Sequence, residues 1–177
     1  MKEMFQNQIM ASLATLNQCI DNCPDAEWDK PHNDAPFSQV LFHTLFYIDF
    51  YLSMNEKEFK LQRFHKENFK LFRDYEELEK IKPIEQYSKN DIKDYLNFCR
   101  NKVDDYFFKI ENDRLLDESS FKKMKIMELL IYVTRHIQHH AAQLGLRVQQ
   151  VTGKKLNWVS SGFPAGNFAA SGAASTI

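Results

Sequence analysis

Apolar positions in this chain recur every three or four residues in four long stretches, the period of helices that bury one face. Phe5, Ile9, Leu13, Leu16 and Ile20 form the first stripe and predict a helix over 5–22, ended by Cys23-Pro24-Asp25. A loop with Trp28, Pro31 and Pro36 follows. The second helix is predicted over 37–54 and is apolar almost all round. His43, Tyr47, Phe50 and Met54 fall on one face, and Leu41, Leu45 and Leu52 on the opposite one. Such a helix needs cover on two sides, from its own bundle and from either a second subunit or the connection that follows it. Residues 55–87 are charged and lack a clean period; a short helix is expected near 74–80, closed by Pro83.

The third helix opens at Ser88, with Asp91 three residues on in the manner of a capping box, and runs to about Glu111. Ile92, Tyr95, Leu96, Cys99, Val103, Tyr106 and Phe107 supply its stripe. The fourth is predicted over 125–151, stopped by Gly153, and buries Ile126, Leu129, Leu130, Val133, Ile137, Leu144 and Val148. Four long helices with one long connection between the second and third predict an all-α four-helix bundle over residues 1–160. The Gly-, Ala- and Ser-rich end, 161–177, reads as a flexible tail.

Composition narrows the picture. Hydrophobic residues make up 44% of the 177, including 15 phenylalanines, which suits one domain with a sizeable core. Five glycines and five prolines are too few for a many-turned β fold. A net charge of −1 gives no reason to invoke nucleic acid or an anionic membrane. No apolar run reaches a membrane span, and the amphipathic start is not a signal peptide. Cys19, Cys23 and Cys99 are odd in number and scattered, which favours buried thiols in a reducing cytoplasm over a disulfide framework.

The chemistry lies in the histidines. His136 and His140 are four apart in RHIQHHAAQLGLR, one helical turn, and both fall within about 20° of the core-facing direction of Leu129. Burying two imidazoles without partners is costly, and a metal ion removes that cost. His43, in the middle of the second helix, is the natural third ligand. His139 lies at the flank, where it either supports a ligand ring or faces solvent; His32 and His65 sit in polar segments and are expected to be solvated. The His-Glu-x-x-His, Glu-x-x-His and zinc-finger patterns are all absent, as are phosphate-binding glycine loops.

Three segments resemble the DinB-like (DinB/YfiT) superfamily: AEWDKPH (26–32), FHTLFYIDFYL in the second helix, and RHIQHHAAQLGLR, which looks like that family's His-x3-His-x2-Gln-Leu signature. The resemblance spans about 1–155. It implies a four-helix bundle, often a homodimer, with one divalent transition metal (Zn, Ni, Fe, Co or Mn) on three histidines, here His43, His136 and His140. Gln143 and Leu144 fit the signature. Ala141 and Ala142 stand where many members carry Arg-Gly, and Arg147, further along the same face, is a candidate substitute. The resemblance further implies a small-molecule substrate. The chain is expected to be either a hydrolase activating water or an S-transferase activating a low-molecular-weight thiol, with a non-catalytic, stress-related metal- or ligand-binding bundle as the alternative. Tyr47, one turn after His43, is a candidate substrate contact; Asp49, off that face, is not a candidate base.

Overall fold

The computed structural model describes residues 1–30, 35–74 and 85–164. His32, Pro31, Pro83 and all but the first residue of the short helix expected near 74–80 lie outside the described residues, as does the tail from 165. The long helices are α1 (Lys2–Asn22), α2 (Phe37–Tyr51), α4 (Lys89–Lys109) and α5 (Ile126–Thr152), with a five-residue α3 (Phe69–Arg73) in the connection between α2 and α4. None is long and apolar enough to cross a membrane.

Local chemistry sets the helix ends. Cys23 leaves α1 in an extended conformation (φ −69°, ψ 121°), as a residue before proline is pushed to do. At the start of α4 the Ser88 hydroxyl accepts from the Asp91 N–H while the Asp91 carboxylate accepts from the Ser88 N–H, completing the expected capping box. Gly153 caps α5 at φ 72°, its N–H on the Gln149 carbonyl, a left-handed position that costs a glycine little.

In the bundle α1 packs on α4 and α5, and α2 packs on the same two helices, so α1 and α2 face each other across a diagonal. The loop after α1 must therefore cross the end of the bundle. It is anchored there by the buried Trp28, whose indole N–H donates to the Tyr87 carbonyl at 2.7 Å. Residues beyond α5 return along α1: the Gln18 side chain bonds both the N–H and the carbonyl of Asn157, and the Gly162 N–H reaches the Asn7 carbonyl.

The second apolar side of α2 is covered by the chain itself. Phe42 and Phe46 meet Phe59, His65, Phe69 and Phe72 of the connection. His65 corrects the expectation of a solvated ring: its side chain is wholly enclosed. It belongs to a buried polar network. The Gln62 N–H donates to His65 Nδ1 at 2.6 Å, so the ring's single proton sits on Nε2, which faces the Tyr95 hydroxyl at 2.9 Å. Tyr95 in turn donates to Asp49 Oδ2 at 3.0 Å, and the Lys102 ammonium bonds Asp49 Oδ1, the Asp49 carbonyl and the Ser53 hydroxyl. Asp49, wholly buried in α2, thus has its charge met by α4.

Candidate metal centre

The helix period puts His136 and His140 on one face of α5, and α2 brings His43 opposite them. One ring nitrogen from each lies within 4.8 Å of those of the other two. His140 is buried; His43 and His136 are half-buried, so the cluster opens toward the surface on their side. Two of the rings are oriented from behind. His43 Nδ1–H donates to the Arg73 carbonyl at 2.5 Å, and His140 Nδ1–H donates to Gln143 Oε1 at 2.8 Å. A carbonyl oxygen only accepts, so each contact places the proton on Nδ1 and makes Nε2 the unprotonated nitrogen of the neutral ring, the one able to act as a ligand.

The neutral form is favoured. Burial lowers the pKa of His43, and burial together with the neighbouring His140 and His43 brings His136 down to about 3. His43 Nε2 and His136 Nε2 are 3.2 Å apart. Two nitrogens bound tetrahedrally to a zinc-sized ion at 2.0–2.1 Å lie about 3.3 Å apart. The His43–His136 pair thus has the spacing of two ligands of one ion, and the three residues together could hold one. Sequence reasoning singled out all three, and the structure brings them together.

The other candidates fall into place around them. Gln143, part of the signature, holds the His140 ring. His139 is exposed. Arg147 donates to the Ala35 carbonyl at 2.7 Å and lies 4.7 Å over the Phe37 ring. Tyr47 edges against His43 (ring centroids 4.9 Å apart) and His136 (5.7 Å), half-buried at the mouth. Tyr132, which the sequence reading passed over, stacks on His136 at 6.3 Å. Its position four residues before His136 was the signal, one turn back on the same face. Lys122 sits beyond it, 4.9 Å from the Tyr132 ring centroid. The cysteines are elsewhere: all three are free and buried, and burial pushes the Cys19 thiol up to about 12 and Cys23 to about 11. Neither is a thiolate at neutral pH.

The family model of the DinB superfamily matches residues 8–144, from the first stripe of α1 to the Leu144 of the signature. No curated protein and no solved structure matches the chain.

Proposed function

The chain belongs to the DinB superfamily, and from that premise, with three imidazoles converging on one point, we propose that it is a metal-dependent enzyme. His43, His136 and His140 hold one divalent transition metal. When bound, such an ion on neutral ligands lowers the pKa of a coordinated water or thiol and polarises a carbonyl or phosphoryl oxygen. The protein's own contributions are positional. The Arg73 carbonyl and Gln143 fix two ring planes, α2 and α5 fix the spacing, and Tyr47 and Tyr132 wall the open side with aromatic surface that limits water. The observation that carries the reading is the pair of Nδ1–H contacts behind the cluster, which present Nε2 lone pairs inward.

Water and a low-molecular-weight thiol are both suited to the open position, giving a hydrolase or a thiol S-transferase acting on a small molecule. Buried, unpaired thiols fit a reducing compartment, and we place the protein in the cytoplasm. Because the connection covers the outer side of α2, a homodimer would use another face.

Elemental analysis of protein purified without a nickel column should give about one metal per chain, lost in His136→Ala and His140→Ala. Thiol-conjugation, esterase and amidase screens should show activity that the same substitutions abolish. Metal-free protein from every preparation would sink the proposal, and a fully loaded protein silent in all screens would leave a metal-binding bundle without turnover.

A further inference from the structure

Between α4 and α5, residues 117–126 fold back on themselves as a tight hairpin. The Ser119 N–H donates to the Met124 carbonyl at 2.8 Å and the Ile126 N–H to the Asp117 carbonyl at 2.9 Å. At its tip Lys122 and Lys123 have φ of 55° and 52°. Positive φ at both central residues is the demand of a type I′ turn, which Asn-Gly meets readily and L-residues with long side chains do not. Closing the hairpin gives no reason for lysine there. Strained backbone kept where a relaxed sequence would serve points to work done by the side chain.

The strained turn carries the Lys122 ammonium over Tyr132 (4.9 Å) and Tyr51 (5.7 Å). Tyr132 stacks on His136, so the ammonium lies one aromatic ring from the histidine cluster, close enough for its charge to act on His136. Among the described residues no carboxylate forms an ion pair with Lys122. Of the carboxylates whose fields reach the neighbouring rings, Asp74 is paired with Arg73 and Glu56 is exposed to solvent.

We propose that Lys122 sets the specificity of this site by binding a carboxylate on the distal end of the substrate, whose other end meets the three histidines. The inference rests on the metal reading of His43, His136 and His140. The Tyr132 ring lies between Lys122 and His136, stacked on His136 and under the ammonium, and the exposed ammonium supplies a charge-assisted contact to an anion that a neutral analogue lacks.

The test uses the Co²⁺-loaded full chain, with two metal-binding probes titrated against its visible absorption: butanohydroxamate, and succinate monohydroxamate, which ends in a carboxylate. Three proteins are compared, wild type, Lys123→Gly, and the double variant Lys122→Asn/Lys123→Gly, whose tip is the Asn-Gly that the turn prefers. Wild type and Lys123→Gly should bind the carboxylate probe about tenfold more tightly than the neutral one. The double variant should lose that preference, bind the neutral probe unchanged, and melt no lower than wild type. A double variant that keeps the preference, or a wild type that has none, overturns the assignment of Lys122. A chain that takes up no Co²⁺ gives a different result: it overturns the metal reading, and this inference with it.

Discussion

Removing the charge of Lys102 should unfold this protein more readily than almost any other single surface-reaching change. Asp49 is wholly buried, and Lys102, with its side chain 19% exposed, is its cationic partner. The carboxylate's other oxygen is satisfied by Tyr95. Lys102→Met keeps the aliphatic stem and deletes the ammonium, leaving a carboxylate in the core with one neutral hydrogen bond. Breaking a buried pair from one side costs about 3–5 kcal/mol, and in a chain of this size each kcal/mol lowers the melting midpoint by roughly 2–4 °C. Lys102→Met should therefore lose about 10 °C. Urea unfolding of metal-free protein, followed by far-ultraviolet circular dichroism, gives the free energy without the contribution of a bound ion. Asp49→Asn/Lys102→Met removes both charges and should recover most of the loss, because the penalty belongs to the orphaned ion and not to the pair. A single substitution costing under about 1 kcal/mol, or a double variant no better than the single, would refute the account.

Two further outcomes follow from burial. His65 has its pKa lowered, chiefly by desolvation, so its neutral form is the one the fold accepts. Its contribution to stability is complete above pH 6.5, the unfolded value, and is lost as pH falls from there toward the folded one. In metal-free protein His65→Gln should flatten the acid slope by up to about 1.4 kcal/mol per pH unit just below pH 6.5, read from urea midpoints across pH 5–7.5; parallel slopes would show that His65 is not the titrating group. Cys19 and Cys23, with thiols raised to about 12 and 11, should react with a disulfide reagent at pH 8 only as fast as the chain unfolds, whereas prompt native-state labelling would place a thiolate at the surface.

What the sequence made readable, and what it hid, divides by range. The four stripes, the Ser88–Asp91 box and the Gly153 stop are local patterns, and each helix was found to within a few residues; α2 ends at Tyr51 where 54 was expected, and Met54 is exposed. His136 and His140 were legible for the same reason. His65 was misread because its neighbours are charged, and composition alone says solvent. The counter-signal was the set of aromatics Phe59, Phe64, Phe69 and Phe72, too irregular for a helix period but too apolar for a solvated linker. The partners that bury His65 are Tyr95 and, through it, Asp49, brought in from other helices by packing that no local period encodes. Lys122 was hidden more deeply. A Lys-Lys dipeptide carries no turn chemistry, and only the backbone reveals that it occupies a left-handed tip beside the histidines.

The contact between His43 and the Arg73 carbonyl joins two events that the sequence keeps thirty residues apart. Arg73 ends α3, on the segment that lies across α2, and its main chain is what holds the His43 ring in register. Docking of that segment and alignment of the ring are therefore one equilibrium viewed from two ends. By reciprocity, whatever loosens the segment frees the ring to rotate, and whatever fixes the ring draws the segment down with the same free energy. The stretch from Phe59 to Arg73 is thus a strap whose tension is set at the histidines, and its rate of amide hydrogen exchange reports how tightly that strap is drawn.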